Sequence, residues 1–178
     1  MTLLDELDLE RLTPAELWSR MDPATRALAA RAMYRPWDDR SLRQDADRAI
    51  ATTLRFREVA VKKLALDKRS DYLARVVRPD DALASSLLTA LHLSERQAML
   101  AAFLDNLGIP QKDGLIEQDH DLGAPKPESL SRAAKQLYDG FPAAEVDLYL
   151  ASLVSMDREA WGGLVGVIRD LRCRPQRS

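Results

Sequence analysis

Several things are scarce in this sequence, and each scarcity excludes something. There is one cysteine, Cys173, among 178 residues, so no disulfide can form within the chain. A lone thiol suits a reducing compartment, and the expected location is the cytoplasm. Two histidines are too few for a His-rich zinc site, and HExxH and CxxC are absent. With 6% aromatics and 7 glycines, core volume must come from Leu, Ala, Val and Ile, a composition that leans towards helices. No apolar run approaches the roughly 18 residues that a membrane span needs, so no membrane association is expected. The opening "MTLLDELDLERL" is acidic and has no basic region of the kind that begins a signal peptide. A net charge of −2 gives no overall attraction to nucleic acid.

What is present is helix punctuation. "TPAE" offers Thr13 as N-cap, proline at the first helical position and Glu16 at N3. "DPAT" repeats the signal with Asp22 and Pro23, so one short helix ends near Met21 and another runs to about Tyr34. Pro36 breaks the chain. A long amphipathic helix is then expected from Arg40 to Leu66, with Ala46, Ile50, Val61 and Leu64 on its apolar face. Further helices are expected over 67–77, from Asp80 or Asp81, and after Ser94, which forms a capping box with Gln97. Gly108 is a left-handed C-cap for that last one. Three more should follow: "ESLSRAAKQLY", the segment after Pro142, and one long helix capped by Asp157. These patterns predict an all-α protein: one compact multi-helix domain over 1–171 with short connections, or alternatively an irregular stack of helix pairs. An irregular loop covers about 109–127, and 172–178 is a basic, frayed tail.

The acidic stretch "DGLIEQDHD" is the first candidate site. Asp113, Glu117, Asp119, His120 and Asp121 could supply oxygens to a hard cation or serve in acid–base chemistry. The EF-hand template fails from either start: Leu115 falls at position 3 counting from Asp113, and Gly123 at position 5 counting from Asp119. A solvated loop, pinned to the core by Leu115 and Ile116, is therefore the preferred reading. His92, in the last turn of its helix, reads as a dipole-stabilised cap rather than a ligand. No Gly-rich phosphate loop or nucleophile elbow occurs, so no cofactor is assigned.

The remaining candidates concern interaction. Tyr34 and Trp37 in "YRPWDDR" are residue types that anchor interfaces when exposed. The competing reading is a helix corner whose rings cover the core, with Asp38 or Asp39 capping the next helix. Arg57 falls inside the apolar arc of the long helix, where a bare charge is untenable. The helix breaks near it, or the side chain reaches solvent, or a distant carboxylate pairs with it. Gly162 and Gly166 lie four apart in "WGGLVGVI", and their cost to a helix calls for a close approach to another helix, within the chain or across a dimer. The basic region Arg55–Arg78 could bind nucleic acid, but Glu58 between Arg55 and Lys62 favours a salt-bridged solvent face. The leading expectation is a helical protein-interaction or adaptor module with a protein partner or self-association. The alternatives are a small metal-dependent or acid–base enzyme using Asp113–Asp121, and a nucleic-acid-binding regulator using Arg55–Arg78.

Overall fold

The computed structural model describes residues 7–36, 41–117 and 123–173, with only the backbone described at 172 and 173. The protein is all-α. Among the described residues it holds eleven helices and one two-stranded hairpin. No described helix is long and apolar enough to cross a membrane. The chain divides into two compact units, one from Thr13 to Glu95 and one formed by the segment up to Leu12 together with Arg96 onwards.

The Thr13–Glu95 unit contains α1 (Pro14–Arg20), α2 (Pro23–Ala32), α3 (Ser41–Leu54), α4 (Glu58–Lys62), α5 (Leu66–Arg75) and α6 (Asp81–Glu95). Its punctuation follows the sequence closely. Thr13 accepts from the Glu16 amide and Asp22 from the Thr25 amide, each with proline just behind it. Asp80 accepts from the Leu83 amide and so caps α6. α2 buries Ala29, Ala30 and Ala32. These short side chains allow close approach, and α2 packs against both α5 and α6. Arg35 donates to the Ser94 carbonyl at 3.2 Å and pairs with Glu95 at 2.5 Å, placing positive charge at the C-terminal end of α6.

The long helix expected over 40–66 is interrupted. α3 stops at Leu54, and Arg55 takes the left-handed conformation at φ 55°. The Phe56 amide reaches back to the Ala51 carbonyl at 2.9 Å, and the Arg55 amide to the Thr52 carbonyl at 3.4 Å. That bond pair is a Schellman stop, built around an arginine where glycine is the usual choice. α4 then restarts with Arg57 as its N-cap residue. The junction after α6 differs as well. That helix continues past Ser94 to Glu95, and α7 (Gln97–Leu107) begins after Arg96, not on a Ser94 capping box.

The other unit contains α7, β1 (Gln111–Lys112), β2 (Leu115–Ile116), α8 (Pro127–Gly140), α9 (Ala143–Met156), α10 (Arg158–Trp161) and α11 (Leu164–Cys173). α9 is its centre, with every residue from Val146 to Ser152 buried. Two of its buried polar side chains, Asp147 and Ser152, are visibly satisfied: Tyr138 donates to Asp147 Oδ1 at 2.6 Å, and the Ser152 hydroxyl donates to the Leu148 carbonyl. Phe103 of α7 meets the Tyr149 ring edge-on at 5.6 Å and Trp161 at 5.8 Å. Arg158 ties the segment before Leu12 to this unit, donating to the Leu9, Glu10 and Leu12 carbonyls, while Arg169 pairs with Glu10 at 2.9 Å.

Asp157 does cap a helix, through the Ala160 amide, but the expected long helix divides at Gly162–Gly163 into α10 and α11. Within the chain, the close approach expected at Gly162 and Gly166 falls on the neighbouring Gly163. A Cβ on Gly163 would stand 3.0 Å from Leu130 Cδ1 of α8. At Gly162 it would meet the Arg158 carbonyl of its own turn, and at Gly166 it would meet nothing. Gly114, by contrast, sits at φ 81° with Leu100 Cβ 2.9 Å from where its Cβ would be. Two alanine substitutions should therefore have opposite signs. Gly166→Ala should stabilise by up to about 1 kcal/mol, the helix-propensity difference. Gly114→Ala should destabilise by about 2–3 kcal/mol, from left-handed strain plus overpacking. Urea denaturation midpoints of the two variants check both; a loss of stability at Gly166 would restore a packing role for it.

Candidate interaction surface

The structure resolves the acidic stretch into a turn. Asp113 at φ 55° and Gly114 at φ 81° form the Asp-Gly loop of a hairpin in which Gln111 pairs with Ile116 and Lys112 with Leu115. The loop is docked on α7: Gln97 donates to the Asp113 carbonyl at 2.9 Å, and the Gly114 amide donates to Gln111 Oε1 at 2.8 Å. Asp113 is thus a turn residue. Glu117 is exposed, and its amide donates to the Pro110 carbonyl. Asp119, His120 and Asp121 lie outside the described residues. Leu115 does not pin the loop, being 54% exposed; Gly114 makes the buried contact instead. Among the described residues no group of three or more His, Cys, Asp or Glu side chains could hold a metal ion.

Tyr34 belongs to the interior, which removes it from the surface anchors; Trp37, Asp38 and Asp39 lie outside the described residues. The Tyr34 hydroxyl donates to Asp47 Oδ1 at 3.0 Å, and Arg69 reaches both Asp47 oxygens at 3.0 and 3.1 Å. The Arg69 guanidinium carbon lies 5.0 Å from the Tyr34 ring centroid. Asp47 and Arg69 are both largely buried. The charge that needs a distant partner is therefore Asp47, which the sequence reading missed. It sits three residues before Ile50 and four before Ala51 on α3, at the margin of the apolar arc. Arg57, singled out instead, is exposed at the helix break. His92 is buried in the last turn of α6.

The exposed apolar side chains are unevenly placed. Six large ones stand out among the described residues, and four fall within 21 positions: Phe56 at 48%, Val59 at 64%, Leu66 at 49% and Val76 at 43%. That stretch is also the basic region. Between Arg55 and Arg78 the sequence has eight basic residues and three acidic ones. The expected salt-bridged solvent face forms only in part. Glu58 pairs with Arg48 at 3.6 Å rather than with Arg55 or Lys62, Asp71 takes Arg75, and Arg69 is committed to Asp47. Arg55, Arg57, Lys62, Lys63, Lys68 and Arg78 make no ion pair with any described carboxylate. The result is an exposed chain in which uncompensated cations alternate with apolar side chains.

A cleft of about 490 Å³ adjoins this region, between the second half of α3 and the start of α6. Most of its polar lining is engaged within the protein. Arg48 pairs with Asp45, Thr53 donates to the Ala49 carbonyl, Ser86 to the Ala82 carbonyl, and Asp80 caps α6. Such a lining offers a small molecule few directed contacts.

No family model, no curated protein and no solved structure matches the chain.

Two stability outcomes follow from the charges. Asp47→Ala leaves Arg69 buried without its carboxylate and should cost about 3–5 kcal/mol, whereas Arg57→Ala should cost under about 1 kcal/mol. Chemical denaturation of the two variants separates them, and equal costs would contradict the placement of both residues. The second outcome concerns alkaline pH. Burial, then the Asp47 carboxylate, raises the Tyr34 phenol well above its usual range, and burial raises Tyr149 too. Both stay protonated in the folded state while the unfolded chain ionises them near about pH 10. Their contribution is whole below about pH 10 and is lost as pH rises beyond it. Tyr34→Phe should make the fall in denaturation midpoint between about pH 10 and 11.5 shallower; an unchanged slope would place Tyr34 in solvent.

Proposed function

We propose that this protein is a helical interaction module, and that the chain around α4 is its docking surface. One observation carries the reading: Phe56 and Val59 are among the most exposed large apolar side chains described, and they sit on a chain fixed by a Schellman stop rather than on a loose loop. Clustered apolar exposure rimmed by polar residues is the usual mark of a protein-binding site. Arg55 supports it. A left-handed arginine costs about 1 kcal/mol or more relative to glycine, and such strain persists most often where the side chain has a use.

The test is photo-crosslinking in the source cell, with the reactive group at position 59 and a control at Lys135, an exposed position on α8. Position 59 should give discrete adducts that position 135 does not. An adduct at twice the mass of the chain identifies the partner as a second copy. Identical patterns from the two positions would remove this surface from consideration. Nucleic-acid binding is the second reading, favoured by the six uncompensated cations. It requires binding that weakens steeply with salt and survives the loss of Phe56 and Val59.

A further inference from the structure

We infer that the surface around α4 takes an acidic amphipathic segment of a protein partner; this rests on the interaction reading above and adds the chemistry of the occupant. Charge complementarity is the argument. Across a protein whose net charge is −2, the stretch Arg55–Arg78 concentrates positive charge. Three acidic residues stand there against eight basic ones, and of the three Glu58 pairs with Arg48 outside the stretch and Asp71 with Arg75 inside it, so most of the positive charge is left over. Arg57, Lys62 and Lys63 therefore present cations with no carboxylate of their own beside the exposed Phe56, Val59 and Leu66. An occupant must supply both kinds of group over a short distance: aliphatic side chains to cover Phe56, Val59 and Leu66, and carboxylates for the flanking cations. A short helix with Leu on one face and Asp or Glu on its borders does so.

Nucleic acid fits less well. Its phosphates would satisfy the cations, but only Phe56 offers a ring for stacking among the three apolar residues, and Val59 and Leu66 gain nothing from a phosphate backbone. Two aliphatic side chains between cations are matched by a partner that is itself apolar between anions. The positive field speeds encounter, and the apolar contacts slow release.

The experiment uses the full chain and fluorescence anisotropy with four labelled probes: a helical peptide of Leu and Glu, the same peptide with every Glu replaced by Gln, the same with every Glu replaced by Lys, and a single-stranded oligothymidylate. The Leu/Glu peptide should bind, and the Leu/Gln peptide should bind about tenfold more weakly or worse. Phe56→Ser with Val59→Ser should weaken the Leu/Glu peptide by about tenfold or more, while circular dichroism shows the variant folded. Lys62→Glu with Lys63→Glu should transfer preference to a Leu/Lys peptide, an outcome that simple loss of folding cannot produce. Equal binding of the Glu and Gln peptides, or none by either, overturns the acidic occupant. In that case adducts from position 59 in the cell would still sustain the interaction reading, so the two failures are distinguishable. Tighter binding of the oligothymidylate, unaffected by the Phe56 and Val59 changes, overturns it in favour of nucleic acid.

Discussion

A carboxylate shut away from water must find its compensation inside the protein, and Asp47 finds it in Arg69 and Tyr34. The three come from the turn just after α2, the middle of α3 and the first turn of α5, so one charge ties three parts of this unit together. Both bonds leave the one nitrogen Nη1 of Arg69, so the carboxylate is held by its two oxygens against a single donor atom. Arg69 also lies over the Tyr34 ring, so the tyrosine serves the pair with its face and its hydroxyl together. A buried ion pair adds little net stability, because desolvation offsets most of the attraction. What it does well is to penalise alternatives. Sliding α3 by a single position against α5 would strand both charges.

With α3 fixed, the place where the chain leaves it is fixed too. The Schellman bonds at Ala51 and Thr52 turn the backbone sharply at Arg55, and α4 begins three residues later. Helix ends of this kind are stiff, so the exposed side chains that follow are presented by a backbone that loses little freedom on binding. The same turn removes Arg57 from the apolar arc that an unbroken helix would have imposed.

Much of this architecture is legible in residue order, and the parts that are not have identifiable causes. Caps carry local signals, which is why Thr13, Asp22 and Asp157 cap through their side chains where expected, and Gly108 through its left-handed backbone. Breaks without such signals are hidden. Nothing at Arg55 resembles a stop, since glycine is the expected residue there; the one hint is Arg57, whose place in the apolar arc makes a break near it one of three readings. The hairpin is different. Its Asp113-Gly114 pair is a strong turn signal between two short segments, but the acidic residues around it invite a reading as ligands. The buried triad is the least legible, because 34, 47 and 69 are linked only by folding. The candidate surface lies between these cases: its basic residues are plain in the sequence, whereas the absence of neutralising carboxylates depends on where Glu58 and Asp71 turn. The division into two units was likewise unmarked, for the change at Arg96 occupies a single residue between two helices.

Arg158 bears on how the protein is made. It clasps the carbonyls of Leu9, Glu10 and Leu12 across a sequence separation of 146 to 149 residues, so the segment from Leu7 to Leu12 belongs with residues that are synthesised much later. Thr13–Glu95, by comparison, is continuous and complete once Glu95 has emerged. Domains tend to fold as they appear during synthesis, and contacts between distant residues close late. The unit in the middle of the sequence can therefore be finished while Leu7, Leu9 and Leu12 still wait for their place. Until then those three leucines are apolar and without the cover that they have in the folded unit.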